Sequence, residues 1–266
     1  MKLRYTQWNF YYTKWMVGEA SLVAEIVAFY FLSDFIGGSS VVDQYGGNYA
    51  AYLLLGVITN RFFVYLQEML YSRPHEACRG SLQMYLLSPV GVWAHLLGSV
   101  AWVIIYWTAM SLLLDFGIGY LVLGLDVSLA ADPFALLAVF SLSVISVVGL
   151  SFTSCSTFSL LNAKGYENPL RFFMGYGLQA LIAGAYFPVA LLPDWVQFIS
   201  RLLPQYYAYR SLRLILLTNA TWESPIVYGD IVVLALFSVV LMILGVLLFE
   251  LGLRKAKKDG NLTRWV

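Results

Sequence analysis

Charge is what this chain lacks most. Only 12% of its 266 residues are Asp, Glu, Lys or Arg, while 60% are hydrophobic and the mean hydropathy is +0.73; soluble domains carry about 25% charged residues. A soluble globule of this length could not cover so much apolar surface, and disorder is excluded for the same reason. The formal net charge of +1 provides no basic field for nucleic acid. The two cysteines, Cys78 and Cys155, stand far apart and behave as small apolar residues rather than as a redox or metal pair. The two histidines, His75 and His95, belong to no HExxH-type array. No GxxxxGK[ST] loop is present, so the chain holds no ATP by a P-loop. The N-terminus lacks an apolar core followed by a small-residue cleavage site, so no cleavable signal is expected.

What is there is a set of long apolar runs. A spanning helix needs roughly 20 mostly apolar residues, and six candidates satisfy this. They run from about Trp15 to Asp34, Tyr49 to Met69, Val92 to between Leu114 and Leu125, Pro133 to Leu161, Phe172 to Leu191 and Tyr228 to Leu253. The charges predict their orientation. With a cytoplasmic N-terminus, one side receives Lys2, Arg4, Lys14, Arg73, Arg79, Lys164, Arg171, Arg254, Lys255, Lys257, Lys258 and Arg264. The other receives Arg201, Arg210 and Arg213 together with Asp34, Asp43, Asp115, Asp126, Asp132, Asp194, Glu223 and Asp230. Such a positive-inside bias predicts six spans with both termini in the cytoplasm. The fold class expected is all-α integral membrane, a single transmembrane unit over residues 1–266.

Three segments are not spans. In residues 1–15, Tyr5, Trp8, Tyr11, Tyr12 and Trp15 recur at helical spacing opposite polar residues, which suits an amphipathic helix lying in the headgroup layer. Residues 72–88 predict a short cytoplasmic helix, with Ser72 as N-cap and Pro74 in the first turn. Arg73, Glu76 and Arg79 lie on its polar side and Leu82, Tyr85 and Leu86 on an apolar side that needs cover. Residues 188–225, on the outer side, are too broken by Pro188, Pro193 and Pro204 for a through-going helix and too apolar for a solvated loop; re-entrant helices fit better.

Few polar residues lie in the spans: Glu19, Glu25, Asn60, Arg61 and Gln179. Charge at such depth is costly unless paired or facing water. Glu25 and Arg61 suit an internal ion pair, and a polar lining for a translocation route is the alternative. The scattered outer acids offer no Asp-rich metal motif. The run Ser151-Phe152-Thr153-Ser154-Cys155-Ser156-Thr157 is expected to be helix-packing glue rather than a nucleophile.

Two patterns carry a family resemblance. Gly80-Ser81-Leu82-Gln83-Met84-Tyr85-Leu86-Leu87-Ser88-Pro89 is similar to the G-T-L-E-x-L-L-x-[ST]-P stretch of the membrane (permease) subunits of type-2 ATP-binding-cassette (ABC) exporters, with Gln83 where that family prefers Glu. Gly184-Ala185-Tyr186-Phe187-Pro188, then Leu192-Pro193-Asp194-Trp195, Pro204 and Arg210, resembles its G-x-x-[FY]-P…LP-x-W…P…R signature. The resemblance covers essentially the whole chain. It implies an exporter in which two copies form the pathway, in a plasma or inner membrane, for a drug, lipid or lipid-linked glycan. A separate dimeric ABC-type ATPase would bind the ATP and magnesium, leaving no cofactor in this chain. Arg73, His75, Glu76, Arg79, Leu82, Gln83, Tyr85 and Leu86 would form the coupling helix. Tyr186, Phe187, Pro188, Pro193 and Trp195 would form the outer gate, and Glu25, Asn60, Arg61 and Gln179 would line the pathway or pair internally. The competing reading is a membrane-embedded lipid-modifying enzyme built on the outer acids.

Overall fold

In a computed structural model, the structure describes residues 43–46, 49–76, 131–160 and 178–258, with isolated positions at 24–31, 89–106 and 173. The described residues are mostly helical, with turns and short irregular links and no strand among them. After a 3-10 turn at Asp43–Tyr45 come α1 (Tyr49–Glu76), α2 (Pro133–Leu160), α3 (Leu178–Ala183), a second 3-10 turn at Val189–Leu191, α4 (Asp194–Arg201), α5 (Pro204–Thr218) and α6 (Pro225–Lys258). The predicted interfacial helix 1–15, most of the first and third spans, residues 77–88 of the cytoplasmic helix and Glu25 lie outside the described residues.

Among the described residues, two helices, α2 over Pro133–Ser154 and α6 over Pro225–Lys255, are long and apolar enough to cross a membrane. Asp132 caps α2: its Oδ1 accepts the Phe134 and Ala135 N–H groups at 3.0 and 3.4 Å, and Pro133 opens the first turn, where a missing N–H is harmless. Its Oδ2 accepts the Trp222 N–H at 3.1 Å, tying the loop before α6 to the start of α2. These N–H groups, Trp222 foremost, hold the Asp132 carboxyl below its ordinary range despite some desolvation. The hydroxyls of Ser143, Ser146, Ser151 and Thr153 donate back to carbonyls of their own helix four residues earlier, at 2.6–3.1 Å. These four hydroxyls are thus satisfied within their own helix in an apolar setting.

Helices α2 and α6 form the most extensive pairing. Their backbones touch where Gly149 meets Gly245. A Cβ on Gly149 would stand 2.5 Å from the Leu241 carbonyl carbon, and one on Gly245 would strike the Gly149 carbonyl oxygen. Along α6, Val227, Asp230, Leu234, Ser238, Gly245 and Phe249 are buried at helical spacing, whereas Val232, Leu236, Val239, Ile243, Leu247 and Leu251 are exposed. A long exposed apolar face matches a hydrocarbon surround.

Helix α5 touches α1, α2, α3, α4, α6 and the first 3-10 turn. It packs antiparallel to α1. Tyr209 donates to Asn60 Oδ1 at 3.0 Å, Arg213 donates to the Tyr52 carbonyl at 3.1 Å, and Leu217 packs beside Tyr45 and Tyr52. Its C-terminal half also shares a cluster with the starts of α2 and α6: Ala135, Val139, Leu212, Ile215, Val227 and Leu234. The beginnings of α1, α2 and α6 therefore gather around the end of α5.

Three expectations need correction. The helix starting at Tyr49 does not stop at Met69 but continues through Ser72 and Pro74 to Glu76, so Ser72 is interior to α1 and not an N-cap. A proline near a helix end removes only one N–H and bends rather than ends it. The fifth span does not run to Leu191: α3 ends at Ala183, because Gly184 adopts φ +83°. The last helix is longer than predicted, extending from Pro225 to Lys258.

Candidate functional site

The end of α3 is shaped by its glycine. The Ala185 N–H donates to the Ala180 carbonyl at 2.8 Å and the Gly184 N–H to the Leu181 carbonyl at 3.4 Å, the paired bonds of a Schellman cap. The left-handed φ of Gly184 turns the chain sharply. A Cβ there would stand 2.7 Å from Val189 Cγ2. The carbonyls of Gly184, Ala185 and Tyr186 consequently face away from α3 with no helical N–H to accept from.

Side chains of α1 and α5 take all three. Arg213 Nη1 donates to the Gly184 carbonyl at 2.7 Å and Nη2 donates to the Ala185 carbonyl. Tyr52 Oη also donates to the Gly184 carbonyl, at 3.3 Å, and Tyr49 Oη donates to the Tyr186 carbonyl at 3.2 Å. The guanidinium lies over the Tyr52 ring, 3.5 Å from its centroid, and Arg213 is 2% exposed. Tyr45, Tyr49 and Tyr52 pack together, Tyr49 and Tyr52 nearly parallel with centroids 6.1 Å apart. Gly56 makes the approach possible, since a Cβ on it would strike both the Ala185 carbonyl and Arg213 Nη2.

Three residues earlier on α5, Arg210 is held differently. Its Nε donates to Asp230 Oδ2 at 2.9 Å, Nη2 pairs with Oδ1, and Nη1 donates to Tyr206 Oη at 3.1 Å. Ser211 Oγ donates to Asp230 Oδ2 at 2.8 Å, and Asp230 is 1% exposed. A buried carboxylate with three donors is fully employed in binding α5 to α6. On the other flank, Ser200 Oγ of α4 donates to the Ile182 carbonyl of α3 at 2.6 Å.

The sequence-selected residues fall into three groups. In the turn region, Pro188 is buried, Tyr186 and Phe187 are half-buried, and Pro193 and Trp195 are exposed. Of the span residues, Asn60 accepts from Tyr209, Gln179 is buried and accepts from Gln67 Nε2 at 3.5 Å, and Arg61 is half-buried. Of the coupling residues, Arg73, His75 and Glu76 lie in the last turns of α1, and Arg79, Leu82, Gln83, Tyr85 and Leu86 lie outside the described residues. Pro89, where the predicted helix stops, is in a turn.

Sequence reasoning missed the clamp itself. Arg213 counts among the basic residues of the outer side, yet it is buried; its place within Leu212-Arg213-Leu214-Ile215, an otherwise apolar stretch, is the available signal. Gly56, a lone glycine among Leu53-Leu54-Leu55 and Val57-Ile58, is the other. Of the outer acids on which an enzyme could be built, Asp132 and Asp230 serve a helix cap and an ion pair.

The profile of the ABC-2 type transporter family matches residues 2–217, through α5 and short of α6. No match appears among curated proteins or solved structures. Members of this family are membrane-embedded transport permeases, generally paired with an ABC ATPase, and are not themselves catalytic enzymes, which sets aside the lipid-modifying reading. With the family profile spanning most of its length and long apolar helices α2 and α6 in its fold, the chain belongs to the ABC-2 type transporter membrane family as a permease component of an ABC transporter.

Proposed function

We propose that this chain is an exporter permease: two copies form a translocation pathway for an amphipathic substrate (a drug, a lipid or a lipid-linked glycan), and a separate ABC ATPase dimer, which binds the ATP and magnesium, drives it. The observation that carries this reading is the continuity of α1. It runs unbroken for 28 residues from Tyr49 and Tyr52 at the clamped turn to Arg73, His75 and Glu76, a length of about 42 Å. One helix thus joins the segment expected to dock on the ATPase to the segment expected to close the outer end. Arg79, Leu82, Gln83, Tyr85 and Leu86 complete the docking segment.

The stretch from Gly184 through α5 acts as a re-entrant outer gate. Tyr186, Phe187, Pro188, Pro193 and Trp195 face the exit, and α5 returns the chain to the outer surface at Asn219. Asn60 and Arg61 belong to the lining, and Gln179 supports it from within the protomer. The first 15 residues rest on the headgroup layer, both termini are cytoplasmic, and the protein resides in the cell membrane.

The docking role is tested by Leu82→Asp and Tyr85→Asp. Each carboxylate added to the apolar stripe is expected to abolish co-purification of the ATPase and to lower transport at least tenfold, while membrane insertion is unchanged. Retention of both ATPase association and transport would refute it.

A further inference from the structure

Three consecutive main-chain carbonyls, at 184, 185 and 186, are each held by side chains from other helices. We propose that Arg213, acting with Tyr52, is a latch that positions this turn on α1, so that the turn is released only when α1 and α5 separate. The proposal rests on the reading of residues 184–188 as part of an outer gate.

The chemistry favours a latch over a simple core contact. Arg213 bonds three carbonyls: Tyr52 through Nε, Gly184 through Nη1 and Ala185 through Nη2. Only a guanidinium presents donors in that fork; an ammonium cannot reach three carbonyls on two elements at once. Its partners are neutral oxygens and a ring face, which hold a cation less tightly than the carboxylate ion pair that binds Arg210 to Asp230. The two arginines thus divide the work on one helix: Arg210 fixes α5 to α6, and Arg213 makes the releasable connection. The latch reaches α1 at Tyr52, the helix that continues to Glu76, so displacement of α1 acts on the turn directly. Gly56 leaves the room that the guanidinium and the Ala185 carbonyl occupy.

The test uses the full chain, with Cys78→Ser and Cys155→Ser, and Phe187→Cys as reporter. It is reconstituted in phosphatidylcholine–phosphatidylglycerol vesicles holding a small fluorescent dye. Two quantities are followed: the rate at which a membrane-impermeant maleimide labels position 187, and the leak of dye. Each hydrogen bond removed is expected to shift the opening equilibrium about fivefold. Tyr52→Phe should therefore speed labelling about fivefold, Arg213→Met by more than that, and Arg213→Lys by an intermediate factor. Unchanged labelling in both Arg213→Met and Tyr52→Phe overturns the latch, whatever the leak does. Faster labelling without added leak leaves the latch standing and removes the gate reading. If Arg213→Met yields no folded protein, Tyr52→Phe, which deletes one hydroxyl and keeps the ring under the guanidinium, decides alone.

Discussion

At the scale of single residues, the two arginines of α5 show how one residue type one turn apart takes two roles: Arg213 is buried, whereas the Arg210 side chain is 31% exposed. Arg210 and Arg213 are separated by one turn, yet one meets a carboxylate and the other meets carbonyls. Removing the buried carboxylate strands the Arg210 charge, and because that side chain is partly exposed the cost falls below the roughly 3 kcal/mol of a fully buried pair. Asp230→Asn is therefore expected to lower the thermal unfolding midpoint of the detergent-purified protein by several degrees. The double variant Arg210→Met/Asp230→Leu should recover most of that loss, because an apolar pair of similar volume leaves no stranded charge. Equal destabilisation in the single and double variants would show that the carboxylate contributes through shape and not through charge. Neither arginine's partner could be inferred from the chain alone. Both sit in Tyr209-Arg210-Ser211-Leu212-Arg213, and nothing local distinguishes the one that faces α6 from the one that faces α1.

Elements are joined by small residues and caps. The α2–α6 crossing depends on two glycines, since hydrocarbon gives helices no hydrophobic reason to associate and close backbone approach supplies the contact energy. Gly245→Ile places a branched side chain against the Gly149 carbonyl and Phe152 Cβ, and is expected to separate the helices and lower the yield and thermal midpoint of folded protein. Gly229→Ala, on the same helix with nothing within 4 Å of the added Cβ, should be neutral or slightly stabilising by helix propensity. Similar losses at both positions would disprove the crossing. The alternation of apolar runs and breaks made α2 and α6 visible in the sequence. α5 was hidden: its tyrosines and arginines look like surface chemistry until five other helices and a 3-10 turn are found around them. A helix buried by its neighbours has no uniform apolar face to display, so periodicity cannot report it.

For the whole molecule, the opposed layers of charge along the chain predict both termini on the cytoplasmic face. Cysteines introduced as Lys2→Cys and Arg264→Cys, in a background without Cys78 and Cys155, are expected to react with an impermeant maleimide in inside-out vesicles and to be protected in intact cells. Labelling of the two from opposite faces would require an odd number of spans. The family match over residues 2–217 agrees with the residues that carried the resemblance, from Gly80-Ser81-Leu82 to Pro204 and Arg210. The membrane class and the starts of the apolar helices at Tyr49 and Pro133 followed from the sequence alone, because desolvating backbone and charge in hydrocarbon is so costly that composition and charge placement leave few arrangements. The clamp at Gly184–Tyr186 did not follow from it. It depends on where α5 brings Arg213 relative to α1, 161 residues from Tyr52 in the chain. A buried guanidinium takes whichever carbonyls the packing presents, so only the tertiary structure could decide its partners.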